Sequence, residues 1–186
     1  MLSLYSISAL AGHGFMNSFA NIEWLPEAGL TPNQSFYFLD SFAEKIEILL
    51  SQGEGHQGEA YLKLSKEKLA EIVEMAKKER TEETQLSTRH YFEYLNRAFE
   101  ENGNEKSQKY LTILNTILEH RYILGFEYPE LTEGDGQQII KNTDSTLNSL
   151  YKKIEELIPR HLSDSLFFKK DEINWIWEIA TEKNGG

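Results

Sequence analysis

The sequence predicts an all-α fold, a compact bundle of about six to seven amphipathic helices in a single domain over 1–186. Three observations carry that expectation. Apolar side chains recur at spacings of three and four almost throughout. No Asn-Gly hairpin joins two alternating apolar runs, since the one such pair, Asn102-Gly103, lies between helical stripes. Pro26 with Gly29, Gly53, Gly125 and Pro159 each fall where a helical stripe stops.

The first stripe, about 3–25, carries Leu4, Ile7, Ala11, Phe15, Phe19 and Ile22, and Pro26 with Gly29 breaks it. Thr31-Pro32-Asn33-Gln34 then reads as a helix start, with a capping hydroxyl, a proline in the first turn and a capping-box glutamine. Phe36, Leu39, Ala43, Ile46 and Leu50 follow on one face. Ser65 is expected to cap a helix bearing Leu69, Ile72, Val73 and Ala76, and the next helix, near 85–101, holds Tyr91, Leu95, Ala98 and Phe99. A turn near 101–105 is a soft division of the chain. Beyond it a stripe runs from Tyr110 through Ile113, Leu114, Ile117, Arg121 and Leu124, with Gly125 as its expected stop.

Residues 127–136, EYPELTEGDG, read as an acidic connector. The clearest stripe follows, over Ile140, Thr143, Leu147, Leu150, Tyr151, Ile154 and Leu157, and Pro159 ends it. A last helix from Glu172 to Glu182 puts Ile173, Ile176, Trp177 and Ala180 on one face.

Composition narrows the function classes. The chain has 186 residues, no cysteine and a formal net charge of −11. Disulfide and thiolate chemistry are excluded, and a reducing, cytoplasmic setting is expected. A deficit of Lys and Arg opposes nucleic-acid binding, which depends on neutralising phosphates, and favours a basic protein partner. No membrane association is expected. The uncharged run 1–22 contains too many serine, asparagine and histidine side chains for a bilayer core.

Gly53, Gly55 and Gly58 fit the phosphate-loop spacing G-x-G-x-x-G. That mechanism needs a preceding strand and a helix opening on the glycines. Here a helical stripe precedes them, and Glu54 and Glu59 would repel an anion, so Gly53 reads as a helix stop followed by a connector. The closest two of the five histidines, His90 and His120, are 30 positions apart, and no Glu-x-x-His occurs. No single-helix zinc site or ferritin-type di-iron site is therefore encoded, and neither metal nor cofactor is expected.

What remains is a short set of candidates. His13, Asn17 and Asn21 recur at i, i+4 and i+8 and could line a polar pocket between helices, with His90 or His120 contributing acid–base chemistry beside Glu93 or Glu119. Trp175 and Trp177 face largely opposite ways on the last helix, so one is expected in the core and the other is a candidate partner anchor. The favoured expectation is a non-catalytic protein–protein interaction domain, an adaptor, inhibitor or regulatory subunit. The alternative is a small-ligand-binding or enzymatic bundle using the His13/Asn17 pocket.

Two resemblances bear on this. LYSISALAGHGFMNSFANIEWL followed by SFAEKIEILL resembles the first helices of HEPN-type domains, which are all-α and often ribonucleases. Their signature, Arg and then His with four to six residues between them, is absent after Arg80, Arg89, Arg97, Arg121 and Arg160, so the resemblance implies a domain without the nuclease motif. Separately, ILGFEYPEL followed by STLNSLYKKI is similar to a short part of DotU-like secretion-system proteins, without the membrane helix expected after it.

Overall fold

In the computed structural model the described residues are 18–19, 22, 24–26, 44, 46, 48, 50–51, 56–100 and 106–183. Among them there is no strand. The helices are α1 (His56–Lys77), α2 (Thr81–Glu100), α3 (Lys106–Glu127), α4 (Asp135–Glu155), the single turn α5 (Arg160–Ser163) and α6 (Phe167–Lys183). Short 3-10 turns occupy Tyr128–Glu130 and Asp164–Leu166. Glu44, Ile46, Ile48 and Leu50 belong to a helical segment before α1. The expected all-α class is what the chain adopts, and no described helix is long and apolar enough to cross a membrane.

α1 and α2 form an antiparallel hairpin joined by a tight turn. The Arg80 amide donates to the Met75 carbonyl at 2.9 Å and the Glu79 amide to Ala76 at 3.1 Å, closing a Schellman motif. Glu79 stands at its left-handed position with φ of 56°.

α1 begins nine residues before Ser65, which is therefore not its cap. The Ser65 hydroxyl is buried in mid-helix and donates to the Leu62 carbonyl at 2.7 Å, a local bond that serine makes inside a helix as readily as at its end. Gly58 of the glycine run lies within the first turn of α1, and Gly53 and Gly55 lie outside the described residues.

α3 is central and touches α1, α2, α4 and α6. A helix with neighbours on several sides must be apolar on several sides, and Ile113, Leu114, Ile117, Leu118, Ile123 and Leu124 are all buried. Gly125 does not end it, because the helix continues to Glu127. Its missing side chain lets α6 approach, since a Cβ there would stand 2.7 Å from Ile176 Cγ2 and 3.2 Å from Trp177 Nε1.

The acidic connector is shorter than its composition suggests. Tyr128 and Leu131 turn inward and are buried, and the Tyr128 ring lies 5.3 Å from that of Trp177. α4 buries Ile140, Thr143, Leu147, Tyr151 and Ile154 as the spacing predicts, while Leu157 falls beyond the helix and is exposed. α6 starts five residues before Glu172. Through these helices runs one apolar core, to which Phe19 of the N-terminal segment also belongs.

Candidate functional site

The densest group of charged chemistry is buried between α1, α2 and Glu44. Lys68 and Glu71 stand one turn apart on the inward face of α1, in the stripe of Leu64 and Ile72. The Lys68 side chain is 0% exposed, and its Nζ lies 2.5 Å from Glu44 Oε1 and 2.5 Å from Glu71 Oε1. The second oxygen of each carboxylate is met from α2. The Ser87 hydroxyl donates to Glu71 Oε2 at 3.0 Å, and the Tyr94 hydroxyl to Glu44 Oε2 at 2.6 Å.

Burial alone would lower the Lys68 pKa, but the attraction of Glu71 and the bonds to both carboxylates more than offset it, and the net shift is upward. Burial raises the Glu71 carboxyl, against the opposing pull of Lys68 and Ser87. An ammonium held this way keeps its proton, so Lys68 is neither a base nor a nucleophile. His90, half-buried on α2 between Ser87 and Tyr94, has its pKa lowered by burial and by the Lys68 charge.

A second polar pair crosses from α2 to α3. The Tyr91 hydroxyl and His120 Nδ1 are 2.9 Å apart, and both residues are buried. Burial, with a lesser push from the Lys66 charge, takes His120 down to about 3, and burial takes Tyr91 well up. Neither group exchanges protons near neutrality. Glu119, the carboxylate adjacent to His120 in sequence, turns instead to Asn115 Nδ2, at 2.7 Å, and to Lys169.

The third cluster joins α3 to α4. Arg121 Nε donates to Asp144 Oδ1 at 2.7 Å, Nη2 to Oδ2 at 3.3 Å, and Nη1 to Asn148 Oδ1 at 2.9 Å. Its backbone carbonyl accepts the Trp177 indole N–H at 3.1 Å. Burial raises the Asp144 carboxyl against the pull of Arg121.

Of the sequence candidates, His13 and Asn17 lie outside the described residues. His90 borders the Lys68 cluster and His120 pairs with Tyr91. Trp177 is the core tryptophan, and Trp175 is the half-exposed one. A surface cleft of about 240 Å³ between α1, α2 and α3 has a floor of Leu62, Ala98 and Ile113, and none of the candidates lines it. Among the described residues no group of His, Asp and Glu could hold a metal ion. Sequence reasoning missed Glu44, Lys68, Glu71, Ser87, Tyr94 and the Arg121–Asp144 pair. The one available signal was Lys68 itself, four residues from both Leu64 and Ile72 and so inside an apolar stripe.

Comparison with known protein families finds a domain of unknown function, DUF5667, matching residues 29–161. The chain belongs to the DUF5667 family. No curated protein and no solved structure matches it. The DUF5667 region takes in all three buried clusters and the whole of α1 to α4. It leaves out the residues up to 28 and α6, and the Ser18 amide donates to Glu172 of α6.

Proposed function

We propose that this DUF5667 protein is a non-catalytic docking module, an adaptor, inhibitor or regulatory subunit that binds a basic protein partner. A cysteine-free chain suits the reducing cytoplasm, where we place it.

The observation that carries the reading is the outer face of α6. Phe167, Asp171, Asn174, Glu178 and Glu182 recur there at spacings of four and three, and all are exposed. Phe167 is 56% and its neighbour Phe168 60% exposed, with their rings edge to face at 5.7 Å. Asp171, Glu178 and Glu182 form no ion pair among the described residues, unlike the carboxylates inside. Aromatic anchors beside unneutralised carboxylates favour a partner that brings an apolar pocket and positive charge. The charged side chains of the buried Lys68 and Arg121 clusters, by contrast, are engaged with one another.

Affinity capture from the native host with the wild-type chain and a Phe167→Ser/Phe168→Ser variant tests this. The expected result is a co-purifying protein that the variant loses and that rising salt releases. Identical captures by both chains would refute the assignment.

A further inference from the structure

We infer that the partner segment docking on α6 is a basic amphipathic helix, which lies along the outer face of α6 with cations opposite Asp171, Glu178 and Glu182 and aliphatic side chains against Phe167 and Phe168. The inference rests on the docking reading above and adds the conformation and register of what binds.

The spacing of the exposed groups sets that register. Phe167, Asp171, Glu178 and Glu182 stand on one side of a single uninterrupted helix, Phe167–Lys183. At a rise of about 1.5 Å per residue, Asp171 and Glu178 are about 10.5 Å apart along the axis, and Glu178 and Glu182 about 6 Å. A second helix matches both steps with cations at i, i+7 and i+11, which share one of its faces. An extended chain does not match them. It repeats a face every second residue, about 6.6 Å, so the longer step falls midway between one repeat and two. A strand that pairs Glu178 and Glu182 from one face therefore reaches Asp171 with a side chain from the other.

The chemistry of the face disfavours other occupants. From Asp171 to Glu182 the helix carries no Lys or Arg, so no cation of this stretch neutralises it. A second copy docked through the same face in antiparallel sense sets Asp171 against Glu178 and brings no cation to either, which costs affinity by like-charge repulsion. Nucleic acid and an anionic bilayer bring phosphates and are repelled in the same way. The opposite side of α6, with Ile173, Trp177 and Ala180, is buried in the core, which leaves the outer face for a partner. At its N-terminal end the exposed rings of Phe167 and Phe168 stand edge to face and give the approaching helix an apolar stop.

The test uses fluorescence anisotropy at low ionic strength on the full chain, with labelled alanine-rich peptides of identical charge. The first carries lysines at i, i+7 and i+11 with two leucines one turn before them, and is made in both chain directions. The second moves the middle lysine by two positions, onto the opposite face. The third keeps the first register and breaks the helix with a central proline. The better direction of the first peptide is expected to bind about tenfold more tightly than the second and the third, and Glu178→Gln to erase that preference. Glu178 is exposed, so the variant keeps the fold. No binding by the first peptide, equal binding by the moved or the broken one, or a preference that survives Glu178→Gln would overturn the inference. Each of those results leaves the docking reading standing, since a basic partner of any conformation satisfies it, and that reading fails only in the capture experiment.

Discussion

The Tyr91 hydroxyl and His120 Nδ1 meet at 2.9 Å with both side chains out of solvent, which keeps an imidazole neutral at the junction of α2 and α3. Folded His120 takes a proton only near 3, against an ordinary value of 6.5. Between those values the unfolded chain holds the extra proton, so acid favours unfolding. Stability from this group is complete above about pH 6.5 and falls by about 1.4 kcal/mol per unit below it. Glu71 and Asp144, both raised, oppose the loss once their own range is reached. Urea midpoints measured just below pH 6.5 should therefore decline, and less so in His120→Gln. A flat profile in the wild type would contradict a neutral buried imidazole.

Lys68→Met leaves Glu44 and Glu71 facing each other without their shared cation. A loss of about 3–5 kcal/mol is expected by chemical denaturation. Replacing all three residues with methionine removes the orphaned charges along with the cation, and most of the stability should return. Equal losses in the single and triple variants would show that the charges are not what the site depends on.

Gly125→Ala raises helix propensity by about 1 kcal/mol, yet it drives a methyl group into Ile176 and Trp177. The clash should win, with a net loss of about 1–2 kcal/mol. In an Ile176→Ala background the same substitution should cost less, because the nearest atom has gone. Additive costs in the double variant would argue against close contact there.

Glu79→Gly relieves the left-handed strain in the α1–α2 turn. A gain of about 0.5–1 kcal/mol in thermal or urea unfolding is expected, after the added freedom of glycine in the unfolded chain is deducted. A destabilised variant would show that the Glu79 side chain does more than tolerate its backbone.

The helices were legible because their apolar spacing is regular, most plainly in α4, where the stripe from Ile140 to Ile154 is the buried face. The punctuation was not. Ser65 and Gly125 carry the residue types of a cap and a stop, but each lies inside a helix, one bonded to its own turn and one yielding space to α6. Local chemistry proposes such boundaries, and tertiary contacts decide them. Of the polar candidates, spacing picked out His120 but not Tyr91, since a partner on another helix leaves no trace in single-sequence periodicity. The Lys68 cluster was hidden for the same reason, as Glu44, Ser87 and Tyr94 converge from separate elements.

The bond from the Ser18 amide to Glu172 spans 154 positions, and this has a consequence for synthesis. A ribosome adding about 5–20 residues per second needs roughly eight to thirty seconds to make that stretch. Throughout that interval the emerging Phe19 has neither Lys169 nor Glu172 to hold it. Phe19 is thus made long before the α6 residues that flank it, so this part of the core closes only once α6 has been made.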